Sequence, residues 1–419
     1  MAQTKGRAQP DSRLRGPGEE WGGNMKTSCI GLCLAWVLAA LATMASAQQA
    51  TEADFDYDAL TEEVPIGSAR FGPPLTFTSP GGVVTNFYGQ INLTYQSFDD
   101  GQDITDGIVD NGNWNTRLGF TVTQPLEGST LRWRFETGLG LRNSAMVSQD
   151  FTPAWIDWQR TALRWFELAW DSDYGTLSLG QGSTASDGTA GLDDSFTFVA
   201  GATNSTDGFG SFRFRDGNGD LTDVTIGRVN NAFNGARRFR VRYDTPVVSG
   251  VMLSASYGRN VLTETDNADY SDIAIRWTGE IGDFAIRSAA GYQWIDDPDG
   301  GMTRRVAASA TVVHAPTGLN LAVSTGRQVD GASYVWARAG WQTDALAAGK
   351  TSLSVDYYKG RDFLSDGART ENYGIYAVQT IDAASVDLYA GWRRFAYSDN
   401  LGGSYQDADG LLFGARFYF

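Results

Sequence analysis

From Val83 to Phe419 apolar and polar side chains alternate in segments of roughly ten residues, the length a tilted strand needs to cross a bilayer. In Arg238 to Tyr243, Phe239, Val241 and Tyr243 fall on one face and Arg238, Arg240 and Arg242 on the other. Leu131, Trp133, Phe135, Leu139 and Leu141 separate in the same way from Arg132, Arg134 and Glu136. Trp114, Leu118, Phe120 and Val122 separate from Arg117, and Val386, Leu388, Ala390 and Trp392 from Asp387 and Arg393. Slipping the register by one would turn the arginines to the apolar side, at roughly 2–4 kcal/mol each if that side is lipid. The pattern predicts strands over 83–96, 113–124, 129–141, 162–171, 175–182, 236–244, 250–260, 270–279, 282–293, 302–314, 317–328, 332–342, 350–360, 369–380, 384–397 and 408–419. The connections alternate between short turns such as Pro125 to Gly128 and mostly longer polar loops over 97–112, 142–161, 183–235, 261–269, 294–301, 361–368 and 398–407. The connection at Asp330-Gly331 breaks that rule by being short.

This pattern predicts an all-β fold, a transmembrane antiparallel β-barrel of 16 strands. Phe212 to Arg215 and Val224 to Gly227 form a candidate hairpin inside 183–235, and counting it as wall would give 18 strands. Its first arm is too short to span, which favours 16. The chain ends Leu411, Phe413, Ala415, Phe417, Phe419 on one face, an apolar last strand that closes against the first and leaves no edge in lipid. Tyr95, Trp114, Trp170, Tyr257, Trp277 and Trp341 lie near strand ends, as interfacial girdles require.

Upstream, Met25-Lys26, the apolar run Ile30 to Leu41 and the small-residue site Ala45-Ser46-Ala47 predict a secretory signal peptide over 25–47, cleaved before Gln48. Residues 1–24 read as a mis-assigned upstream extension. Residues 48–82, acidic and then rich in Pro and Gly, read as a disordered periplasmic arm. The only cysteines, Cys29 and Cys33, fall in the targeting segment, so no disulfide framework or thiolate metal site is expected. A formal charge of −16 argues against nucleic acid as a partner.

The opening strand Asn86-Phe87-Tyr88-Gly89-Gln90-Ile91-Asn92-Leu93, the stretch Arg240-Val241-Arg242-Tyr243-Asp244-Thr245-Pro246 and the ending Arg416-Phe417-Tyr418-Phe419 resemble Gram-negative outer-membrane porins of the general-diffusion, 16-stranded type. The resemblance covers most of 83–419. It implies an outer-membrane homotrimer of water-filled barrels passing small hydrophilic solutes and ions. Each barrel would be narrowed by an inward-folded third external loop, here 183–235. The partners implied are outer-membrane lipid and the barrel assembly machinery, which would read Phe417 and Phe419 as its signal.

A channel works by size and field. The candidate constriction has a basic wall of Arg117, Arg132, Arg134, Arg238, Arg240 and Arg242 facing the loop carboxylates Asp187, Asp193 and Asp194. One opposed pair 10 Å apart is worth about 0.4 kcal/mol in bulk water and about 1.7 kcal/mol at an effective dielectric of 20, so several must act together. Local arginines favour anions, whereas the net charge and acidic loops lean toward cations. Asp216, Asn218 and Asp220 have the alternating oxygens of a calcium loop, but Leu221 stands where glycine is needed and Gly227 where a glutamate is needed. A polar turn is expected there, with no cofactor and calcium as the one candidate metal. The alternative function is a substrate-specific channel with an aromatic slide, for which Tyr88, Tyr358 and Tyr389 point inward. A barrel enzyme is the remote alternative, because the single histidine, His314, sits beside a short turn away from any candidate nucleophile.

Overall fold

The computed structural model describes residues 75–419 except 299 and 402. The expected extension, signal peptide and most of the arm lie outside the described residues. The described chain runs β1 (Leu75–Thr78), β2 (Val84–Asp99), β3 (Ile104–Asp110), β4 (Arg117–Leu126), β5 (Ser129–Gly138), β6 (Leu163–Ser172) and β7 (Gly175–Ser183). A long segment follows, carrying a short helix α1 (Thr206–Phe209), β8 (Arg213–Arg215), β9 (Leu221–Thr225) and α2 (Ile226–Val229). Then come β10 (Arg237–Asp244), β11 (Val251–Arg259), β12 (Asp269–Ile281), β13 (Phe284–Asp297), β14 (Gly301–His314) and β15 (Leu319–Gln328). The last five are β16 (Ser333–Leu346), β17 (Gly349–Arg361), β18 (Arg369–Ile381), β19 (Val386–Ser398) and β20 (Ala408–Tyr418).

Each strand pairs antiparallel with its neighbour, and β20 pairs with β2 to close the cylinder. The wall has sixteen staves, because β3 and β4 share one. β3 pairs with Leu93–Asp99 of β2 and β4 with Val84–Gln90, on either side of a 3-10 turn at Gly112–Trp114. The expected loop 97–112 is therefore mostly strand. Trp114, expected outward, is inside and 6% exposed, because the turn takes it out of the alternation. The hairpin β8–β9 forms its own two-stranded sheet and adds no stave.

Residues 75–78, expected to belong to the arm, form β1. It pairs with Val84–Phe87, below the stretch from Gln90 to Asp99 that β20 pairs with, and so continues the last stave downward. At the junction the backbones of Phe419 and Gly89 exchange two hydrogen bonds of 3.0 and 3.1 Å. A Cβ on Gly89 would lie 2.6 Å from the Phe419 ring, so the terminal aromatic covers a site only glycine fits. Tight turns close the short-turn end. At Gly318 φ is +69° and a Cβ would sit 1.9 Å from the Gln342 carbonyl oxygen, which excludes other residues.

The alternation sorts the two faces as expected. Phe239, Val241 and Tyr243 are exposed on the outside, whereas Arg240 and Arg242 are buried inside. The segment between β7 and β10 packs on inward-facing side chains of distant staves. Phe98 of β2 stacks on Phe212 at 4.3 Å, and Phe233 on Phe363 at 5.6 Å. Gln96 donates to the Gly208 carbonyl at 2.7 Å, Ser324 to that of Ala190 at 2.8 Å, and Arg393 to that of Ala202 at 2.8 Å.

Candidate channel site

Two sets of charges line the interior. The first lies on β4–β7 and β10. Glu136 collects Arg134 at 3.1 Å, Arg117 at 3.8 Å and Arg164. Arg134 also donates to the Tyr88 hydroxyl at 3.0 Å and lies 4.2 Å above the Trp165 ring. Arg132 stands 3.7 Å from Asp171. Because side chains on one face repeat every second residue, Arg132, Arg134 and Glu136 form one inward column, and the neighbouring staves add Arg117, opposite Gly138, and Arg164, at the bulge beside Glu136, at its upper end.

Arg238 lies 4.1 Å over the Tyr270 ring and 4.0 Å from Asp266. Arg240 and Arg242 are placed differently from the expected wall. Arg240 binds Glu167 at 2.6 Å and the Ser183 carbonyl at 2.9 Å. Arg242 binds Asp244 at 2.8 Å and the Thr184 carbonyl at 3.1 Å. Both side chains are 2% exposed, so they brace the root of the long segment and offer no charge to a solute.

The second set holds that segment. Asp187 accepts from Ser183 at 2.7 Å and Asn234 at 2.9 Å. Asp193 accepts from Arg338 at 2.6 Å, and Asp194 pairs with Arg287. None of the three is paired with an arginine of the expected basic wall; Asp193 and Asp194 meet arginines of β16 and β13. Arg338 and Arg393 share Asp356 at 2.7 and 2.5 Å, and the Tyr376 hydroxyl donates to the same carboxylate at 3.0 Å. Asp216 accepts backbone N–H groups of Asn218 and Asp220 at 2.8 and 3.0 Å, which is the bonding of a polar turn.

Asp207, on α1, had no local motif to single it out. It is exposed, and Arg164 and Arg237 are the cations whose charges act on its carboxyl. Its backbone carbonyl accepts from Ser144 at 2.8 Å, which pins α1 beside the 3-10 turn at Ser144–Met146. The structure therefore sets Asp207 and the column around Arg164 in one electrostatic neighbourhood.

Residues 35–400 match the sequence model of a Gram-negative porin family. No curated protein sequence matches. Among solved structures, the anion-selective porin from Comamonas acidovorans is similar at 14% identity and a TM-score of 0.55, over 80% of this chain and 100% of that one. OprB of Pseudomonas putida is similar at 9% identity and a TM-score of 0.54, over 80% and 94%. OmpT of Vibrio cholerae, solved in a trimer form, is similar at 15% identity and a TM-score of 0.50, over 80% and 99%. The closed sixteen-stave barrel and a family match spanning most of the sequence carry the same conclusion: this chain belongs to the Gram-negative porins, outer-membrane channels for passive diffusion.

Proposed function

We propose that the solute path runs between the arginine column of β4–β6 and the segment 184–236, which acts as the inward-folded loop that narrows it. The observation that carries this reading is the asymmetry of the interior. The segment is bonded to the β12–β19 side through Arg276, Ser309, Ser324, Arg338 and Arg393, while it bonds the other side at its root and at α1, through Arg242, Gln96 and Ser144. On the other side Arg117, Arg132 and Arg164 keep 12, 20 and 18% of their side-chain surface open. Asp207 is an exposed carboxylate on α1, apart from Asp220 and Asp223 of the hairpin β8–β9 region. Positive charge on one wall and negative on the other orients polar solutes and disfavours apolar ones.

The neck favours small anions on this reading, against the lean from net charge. Asp193, Asp194 and Glu136 are neutralised by arginines, so they add little negative field. Reversal potentials in a salt gradient test it. Asp207→Asn should strengthen anion preference, and Arg117→Ser with Arg164→Ser should move it toward cations, both more at low salt. Unchanged reversal potentials in both variants would remove these residues from the path.

Tyr358 and Tyr389 do not favour a sugar slide. They are 0 and 2% exposed and their hydroxyls are bonded to Asn231 and Asn92. Catalysis is not part of the proposal: the His314 ring bonds Thr317 at 2.8 Å at the short-turn end. Trimer assembly is supported by an aromatic ridge outside β2–β6, where Phe120 meets Phe87, Trp133 and Phe135, and Trp133 meets Phe166, at 5.2–6.0 Å. Export through a cleaved signal peptide, with the mature chain starting near Gln48, completes the reading.

A further inference from the structure

The outer surface carries a feature the channel does not use. At the long-loop end of β14–β18, Arg304, Arg327, Lys359, Arg361 and Arg369 all face outward. The strand register sets them in a row. Arg327 stands opposite Ser333, Ser333 opposite Arg361, and Arg361 opposite Arg369. Arg304 is diagonal to Arg327, whose direct partner is Val306. Three inter-strand steps put Arg327 and Arg369 roughly 14 Å apart.

Like charges directly opposite on neighbouring strands are destabilising, so the Arg361–Arg369 pair calls for a counter-charge. The nearby carboxylate, Glu371, is bonded to Lys359 at 2.7 Å. Other outward arginines near this rim are neutralised, Arg259 by Asp269 and Arg394 by Asp409. Among the described residues, Arg304, Arg327, Arg361 and Arg369 have no ion pair. A chain of net charge −16 thus concentrates uncompensated positive charge on one outer patch.

Its depth is marked by aromatics. Four residues down the same staves from Arg361 and Arg369, past Lys359 and Glu371, Tyr357 stands opposite Tyr373, and Tyr373 lies 5.7 Å from Trp392. Beside Arg304, Tyr292 and Trp294 pack at 4.6 Å. Such rings settle at the level where hydrocarbon gives way to headgroups, so the arginine row stands at headgroup height.

We propose that this row binds the phosphate groups of phosphorylated lipid headgroups in the outer leaflet. Arg361 and Arg369, about 5 Å apart across the ladder, can share one phosphate. Arg304 and Arg327 form a second seat beside them. Guanidinium groups suit this because their fork matches phosphate oxygens in pairs.

The test uses the full mature chain refolded in phosphatidylcholine vesicles. The vesicles are supplemented with bisphosphorylated lipid A, with its dephosphorylated form, or with inorganic phosphate in the buffer, and the thermal midpoint is read. The wild type should gain stability only from the phosphorylated lipid. Arg304→Gln, Arg327→Gln, Arg361→Gln and Arg369→Gln combined should lose most of that gain. The same variant should melt at or above the wild type in plain phosphatidylcholine, because the opposed charges are relieved. Either pair of substitutions alone should weaken apparent lipid affinity about tenfold or more. Arg394→Gln, whose partner is Asp409, should keep the gain. No gain in the wild type, or an equal gain in the fourfold variant, would overturn the proposal. An equal gain from inorganic phosphate would make this a free-anion site and overturn the lipid assignment.

Discussion

Arg338 shows how a single side chain can hold the interior together. It is 0% exposed and reaches Asp193 on the long segment, Asp356 on the wall and the Gly201 carbonyl. Removing its charge would leave Asp193 without its cation and Asp356 with Arg393 as its remaining ion-pair partner, beside the Tyr376 hydroxyl and the Trp336 indole N–H. Breaking a buried pair in this way costs about 3–5 kcal/mol. Arg338→Met should therefore lower the thermal midpoint and raise open-channel current noise, as residues 193–201 lose their tether. A variant as stable and as quiet as the wild type would show that the other bonds suffice. Arg393→Met is a weaker counterpart, because Arg338 would still hold Asp356. None of these partnerships was legible in the sequence. Arg338 and Asp193 are 145 positions apart, and Arg240 and Glu167 are 73 apart, with no local pattern joining them. The alternation shows which side of the wall an arginine faces but not which carboxylate it meets. For that reason Arg240 and Arg242 looked like channel wall and are bracing.

At the scale of the element, the staves were legible because lipid outside and water or polar packing inside impose a period of two. Departures occur where that constraint relaxes. β3 places Asp106 among its outward residues, between Ile104 and Ile108, and the Tyr95 hydroxyl bonds that carboxylate, so an apolar face could not be read there. β1 is only four residues long and follows a Pro- and Gly-rich stretch. Trp114 left the pattern because a 3-10 turn interrupts its stave. The hairpin β8–β9 belongs to the loops. Arg215 joins it to Asp100 at 2.8 Å and to Asp103 at 3.0 Å. Burial alone would raise the Asp100 carboxyl, but the Arg215 hydrogen bond and the backbone N–H groups of Asp103 and Gln102 hold it below the usual value. A depressed carboxyl stabilises docking at pH above its unfolded value near 4, and that contribution fades as pH falls through the lower folded value. The protection of the Asp216–Asp220 turn against hydrogen exchange, relative to the intrinsic rate at each pH, should therefore fall in acid. Asp100→Asn should exchange faster already at neutral pH and change less on acidification. Equal protection of wild type and variant at neutral pH would separate Asp100 from hairpin docking.

Taken as a whole, the molecule divides its charges by surface. Basic residues line one interior wall and the outer rim of β14–β18, while the loops carry much of the acid behind a net charge of −16. The cylinder is closed by hydrogen bonds from Gln90 to Asp99, and the Phe419 ring rests over Gly89 at the seam. The segment 184–236 contributes nothing to that closure, since β7 pairs directly with β10 from Thr176 to Ser183. The wall and the proposed narrowing are therefore separable. Single-channel conductance in planar bilayers tests the central claim most directly, comparing the wild type with a variant whose residues 186–234 are replaced by a short Gly/Ser linker. The account predicts stable ohmic openings for both, with a larger unit conductance and weaker ion preference in the shortened variant. Equal conductance and equal reversal potential in the two proteins would contradict it, because the segment would then not narrow the path.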